Sequence, residues 1–121
     1  MAELKRNMIE LIVNPQEVAE GGEPEIKKYW TPAFISYEKT REAMELAAEL
    51  EEKGNDPKGI LTMLDKLENF TVEIYNNQFT VEELRRCLHA PDGLGELANQ
   101  LRFISDGQQS ETTKKFLAKK N

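Results

Sequence analysis

Residues 69–88, NFTVEIYNNQFTVEELRRCL, constrain the fold more than any other stretch of the chain. A long amphipathic helix ends there at the double asparagine Asn76-Asn77. A second helix opens at Thr80, where Thr80 and Glu83 have the spacing of a capping box, each side chain able to satisfy an unpaired N–H of the first turn. Phe79 stands just before the cap and Leu84 at the fourth helical position, which is the spacing of a hydrophobic staple. The element is a helix, a hinge and a helix, with an aromatic ring planted at the hinge. It holds no reactive chemistry. A chain whose best-specified segment is a packing device is expected to work by binding.

Ahead of this element the pattern changes along the chain. Met8–Val13 is a short apolar run closed by Asn14-Pro15, where proline removes a backbone donor. A polar, turn-rich stretch with Gly21-Gly22 follows, and Glu25–Trp30 has the β-branched and aromatic residues of an edge strand. Strand, loop, strand is the reading, although Met8, Leu11 and Ile12 also fit a short helix over Ala2–Val13. From Thr31 the period is helical. Ser36 is a candidate N-cap, and Ala43, Leu46, Ala47 and Leu50 mark one face of a helix that stops at Gly54. Asp56-Pro57 restarts the chain as N-cap and first-turn proline. Ile60, Leu64, Leu67 and Ile74 form the next stripe, with Leu61, Phe70 and Tyr75 beside it. A short helix follows over Val81–Leu88, then a broken turn over His89–Gly95, then a helix carrying Leu94, Leu97, Leu101 and Ile104. The expected fold is mainly α: a small bundle of about four helices preceded by an N-terminal extended or β-hairpin arm. Residues 1–107 form one domain, with 1–30 the arm and 31–107 the helices. Residues 108–121 are expected as a flexible C-terminal tail, because Phe116 and Leu117 are its only large hydrophobes.

Charge and cysteine usage narrow the function. The net charge of −6 argues against nucleic acid as partner, since such binding needs clustered Lys and Arg. The first twenty residues lack an apolar signal region, and no run approaches the ~18 apolar residues of a membrane span. One cysteine, Cys87, allows no internal disulfide and fits a reducing cytoplasm.

No catalytic, cofactor or metal site is expected. Cys87 and His89 stand two residues apart, about 200° around a helix, and do not converge on a metal. Cys87 falls late in its helix, where the dipole opposes a thiolate, so a small buried hydrophobe is its expected role. His89 reads as a residue of the helix C-terminal region. Glu51-Glu52 and Glu82-Glu83 are adjacent pairs that diverge on a helix and read as solvated faces. Gly21-Gly22 and Gly93–Gly95 lack the setting and the lysine of a phosphate loop. The aromatics gather in two places: Tyr29, Trp30, Phe34 and Tyr37 at the strand-to-helix junction, and Phe70, Tyr75 and Phe79 at the hinge. Tyr75, Phe79, Leu84 and Leu88 are the candidate partner-binding residues, as walls of an apolar groove for a partner helix. The alternative is that they are core.

The segment Tyr29-Trp30-Thr31-Pro32-Ala33-Phe34-Ile35, the Ala/Glu/Leu-rich helix Glu42–Glu52, and the run Val72–Leu84 through Asn77-Gln78-Phe79-Thr80 occur in a familiar order. In that order the chain resembles the tail assembly chaperones of long-tailed, siphovirus-type phages and prophages of Gram-positive bacteria. The likeness covers about residues 29–104 and is sharpest at Tyr75–Leu84. It implies a non-enzymatic protein that binds the helical tape measure protein, keeps it soluble and helps recruit tail tube subunits. It also implies work in the cytoplasm of the host bacterium and absence from the mature virion. Chaperones of this kind often have a longer form, made by ribosomal frameshifting, that contacts tail tube protein, and Lys119-Lys120-Asn121 suits an adenine-rich slippery site. Self-association is a further expectation. The other function class in view is an acidic helical regulatory adaptor that binds a host or phage protein.

Overall fold

The computed structural model describes residues 4–120. Strand β1 (Met8–Ile12) pairs antiparallel with β2 (Ile26–Trp30), and the short helix α1 (Pro15–Ala19) lies between them. Helices α2 (Glu38–Lys53), α3 (Pro57–Ile74), α4 (Val81–Cys87), α5 (Gly93–Asp106) and α6 (Glu111–Lys120) follow, with a 3-10 turn at Ala90–Asp92 ahead of α5. The architecture is the expected one, mainly helical with an N-terminal hairpin, and the strand register over Met8–Ile12 settles hairpin against helix there. The unforeseen α1 begins at Pro15, whose missing N–H costs nothing in a first turn. Asn14 closes the loop around it, donating to the Glu23 carbonyl at 2.9 Å and accepting from the Glu25 amide at 2.7 Å.

Helices α2, α3 and α5 pack on one another, α4 packs on β1, and Ile9 and Leu11 of the hairpin join the core. Glu49 of α2 takes Lys66 of α3 at 2.7 Å, a charged contact that clamps the two helices, and also takes Lys53 of its own helix at 2.8 Å. The turn between them is tight enough that a Cβ at Gly59 would lie 1.6 Å from the Lys53 carbonyl oxygen. Asp56 caps α3 as expected, accepting from the Gly59 amide at 2.8 Å. The buried stripe of α3 differs from the expected one. Met63, Leu67, Phe70 and Ile74 face the core, Ile60 and Leu64 are half-buried, and Leu61 is exposed. Helix α2 starts two residues beyond Ser36, which accepts from the Glu38 amide at 3.3 Å rather than capping directly.

The hinge is built as its residues dictate. Asn76 and Asn77 both have φ of 59°, and the Asn77 amide reaches back to the Val72 carbonyl at 3.1 Å while Asn76 takes that of Glu73 at 2.9 Å. This is the Schellman pattern, which satisfies carbonyls that a helix end would leave unpaired. The capping box is formed in both directions, Glu83 N–H to Thr80 Oγ1 at 3.0 Å and Thr80 N–H to Glu83 Oε1 at 2.9 Å. Phe79 and Leu84 are both buried in the core.

Residues 108–121, expected as a flexible tail, contain α6 instead, and that helix is tied to β1 through polar atoms. Thr113 Oγ1 donates to Asn7 Oδ1 at 2.7 Å and accepts from the Met8 amide at 3.1 Å. With its one proton so used, Thr113 receives the 2.8 Å bond from Ser110 Oγ, which also accepts the Thr113 amide and caps the helix. Trp30 meets Phe116 at 5.5 Å on the outer face of the hairpin. The Asn7 side chain continues inward to Gln100, and Gln100 uses both of its hydrogens and both lone pairs, on Asn7, Tyr75, Glu96 and the Met8 carbonyl. Among the described residues no buried side-chain polar atom lacks a partner.

Candidate partner-binding site

Tyr75, Phe79 and Leu84 are at most 2% exposed, and only Leu88 of the four candidates is half-buried. The hairpin fills the space beside the hinge where a groove was expected. Tyr29 packs edge-on against Phe79 at 5.0 Å, and Gln78 Nε2 donates to the Trp30 carbonyl at 2.7 Å. Burial, with the charge of Glu96 adding to it, holds the Tyr75 phenol well above the ordinary tyrosine range, so it remains a hydrogen-bond donor. In this structure, then, Tyr75, Phe79 and Leu84 position the surface from beneath, and Leu88 reaches it.

Leu88 lines an open depression of about 350 Å³ together with Leu64, Leu94 and Leu97. Leu94 is 54% exposed and is also a wall of a second depression, about 430 Å³, among Leu50, Ile60, Leu67 and Ala98. The two form one apolar channel across α3 and α5, divided by Leu94. Leu61, one turn before Leu64 on α3, is exposed and lines neither depression. Glu51, Glu68 and Arg85 stand at the margin. Arg85 is bound to Glu68 at 2.7 Å and to Asp65 at 2.8 Å, which also ties α4 to α3.

A smaller apolar depression, about 280 Å³, lies where Leu4, Phe34 and Ile35 meet Phe103 and Ile104. Phe34 and Tyr37 beside it are exposed, whereas Tyr29 and Trp30 of the same sequence cluster are half-buried. Cys87 is half-buried against the core, and burial pushes its thiol up, away from thiolate. His89 is exposed. Among the described residues no group of three or more His, Cys, Asp and Glu is placed to hold a metal ion, and no helix is long and apolar enough to cross a membrane.

A family model described as phage tail chaperone protein matches residues 3–121. The chain belongs to that family. No curated protein and no solved structure matches it. The match takes in β1 and α6, both of which lie outside the stretch that carries the sequence resemblance. The role of this chaperone is therefore in phage tail assembly. Its surface shows an apolar channel with charged margins and no cluster of reactive groups around it.

Sequence reasoning missed two parts of this chaperone. The spacing of Leu94, Leu97, Leu101 and Ile104 does not reveal that Leu94 is exposed and is a wall of both depressions. Nothing local in the sequence marks Gln100 as the centre of a buried network.

Proposed function

We propose that this chaperone binds the tape measure protein of its phage, covering apolar stripes of that long helical chain until tube subunits assemble around it. Membership of the tail chaperone family carries the reading. The channel divided by Leu94 supports it: two apolar depressions sharing one wall suit two side chains on one face of a partner helix, bound helix-in-groove. The net charge of −6 keeps such a complex soluble by self-repulsion. The protein acts without catalysis, in the cytoplasm of the host bacterium, and leaves before the virion matures. Tube protein is recruited through a frameshift-extended form in which additional sequence follows α6.

Co-expression with tape measure fragments tests the proposal. Wild-type chaperone is expected to keep the fragments soluble and to co-purify with them. Leu94→Glu places a charge on an already exposed wall of both depressions, so melting temperature is expected to hold while co-purification falls. Fragments that stay soluble equally well with this variant would remove the channel from the proposal. The absence of any binding by the wild type would remove the tape measure protein. A gene lying between a tube gene and a very long tape measure gene, with a slippery heptamer near its end, is the genomic arrangement expected.

A further inference from the structure

Strand β1 has one edge paired with β2 and one edge turned outward. The register is uniform from Met8↔Trp30 to Ile12↔Ile26, and the flanking bonds, Thr31 N–H to Asn7 O and Val13 N–H to Glu25 O, both at 2.9 Å, fix its parity. Asn7, Ile9, Leu11 and Val13 therefore turn their backbone groups toward β2, while Met8, Glu10 and Ile12 turn theirs away. At Met8 the outward groups are occupied, the N–H by Thr113 Oγ1 and the carbonyl by Gln100 Nε2, each at 3.1 Å. At Glu10 and Ile12 the outward N–H and C=O groups meet no partner among the described residues. A cleft of about 670 Å³ opens beside them, between β1 and the N-terminal end of α5. Ile12, Leu88 and Pro91 give it apolar walls, and Glu10, Asp92 and Glu96 give it three carboxylates.

We propose that this cleft receives an extended segment of a partner polypeptide, which adds as a strand to the β1 edge at Glu10 and Ile12 and places a lysine or arginine among Glu10, Asp92 and Glu96. An unpaired strand edge is a template for such addition, with the main chain supplying affinity and the adjoining pocket supplying specificity. The carboxylates are poorly compensated within the protein. Glu10 has a 3.6 Å contact with Lys28 across the hairpin, and Glu96 is hydrogen-bonded to Gln100. Burial pushes the Glu96 carboxyl above its ordinary range, and the nearby charges of Asp92 and Glu10 add to that, so an incoming cation relieves a strain already present. The same charges disfavour a second copy of this chain, because antiparallel pairing of two β1 edges would bring like carboxylates together. The inference rests on the chaperone reading only in taking the occupant to be protein.

Amide hydrogen exchange on the full chain tests it, alone and with short synthetic peptides of alternating valine and lysine or valine and glutamate. In the free protein, Glu10 and Ile12 amides should exchange far faster than those of Met8, Ile9 and Leu11. The lysine peptide should slow both at least about tenfold. The glutamate peptide, and a lysine peptide N-methylated at alternate residues, should not. Glu10→Lys should abolish the effect with the hairpin intact, and Ile12→Pro should block addition by removing one outward donor. Protection of both amides without peptide, protection that rises with protein concentration alone, or equal protection by every peptide would overturn the proposal. Loss of tape measure binding in Leu94→Glu with peptide protection retained would separate this edge from the helix channel.

Discussion

The phenol of Tyr75, at the hinge, donates a 2.6 Å hydrogen bond to Oε1 of Gln100, in the middle of α5. That oxygen also accepts from Asn7 Nδ2, so hinge, arm and fifth helix meet at one atom. The two partners are not equivalent under mutation. Tyr75→Phe leaves the Gln100 oxygen with Asn7 and is expected to cost about 1 kcal/mol. Gln100→Leu strands the Tyr75 hydroxyl, the Met8 carbonyl and the Asn7 amide together, and a loss on the order of 3 kcal/mol or more is expected. Urea unfolding of both variants reads the difference, and equal losses would mean that the network is no more than packing.

Helix α6 is expected to fold as part of the domain rather than as an appendage. Thr113→Val keeps the side-chain shape but deprives the buried Met8 N–H and Asn7 Oδ1 of a partner, which should cost about 1–3 kcal/mol. Hydrogen exchange should then quicken at the Met8 amide and throughout α6, with α2 and α3 affected less. Unchanged exchange at Met8 would show that Thr113 does not hold the helix down.

The hinge depends on left-handed backbone at Asn76. Asn76→Ala should lower stability by about 1 kcal/mol, because a Cβ without a polar tip disfavours that region. Asn76→Gly should cost less. Thermal or urea unfolding that ranks alanine at or above glycine would contradict the assignment.

Acid should weaken the clamp between α2 and α3. Hydrogen bonds from Lys53 first and then Lys66 lower the Glu49 carboxyl from 4.5 to about 2. A depressed carboxylate stabilises the fold fully above its unfolded value and loses that contribution as pH falls through its folded one. The part of the stability lost between pH 4.5 and about 2 should therefore shrink in Glu49→Gln. Urea midpoints at several pH values check this, and identical slopes in variant and wild type would count against it.

The hinge was fully legible in the sequence because its signals are local: Asn76, Thr80 and Glu83 act on backbone groups within a few positions of themselves. The turn at Gly54–Pro57 was legible for the same reason. The face of α3 was less so. Ile60, Leu64 and Met63 are all apolar, and which of them is buried depends on where α5 crosses, a fact no local spacing contains. Leu94 went astray for the opposite reason, since it continues the stripe of α5 beyond the point where neighbouring helices cover it. Docking of α6 was hidden most thoroughly. Its contacts run through Ser110 and Thr113, whose hydroxyls add nothing to a hydrophobic pattern, to partners more than a hundred residues away. Of the candidate partner-binding residues, the same aromatic and aliphatic character that suggested a groove also suits Tyr75, Phe79 and Leu84 to the core.

Asn7 leaves the ribosome early and is completed late. Thr31 can join it as soon as the hairpin forms, Gln100 only after α5 is made, and Ser110 and Thr113 after that. Until Thr113 emerges, the Met8 amide has only water. A nascent chain thus carries an open seam along β1 that closes as α6 arrives. In a stalled product ending before Ser110 that seam never closes. Such a chain offers a longer stretch of bare strand edge to proteases and to neighbouring chains than the finished protein does. Arrival of α6 confines the exposed β1 edge to Glu10 and Ile12.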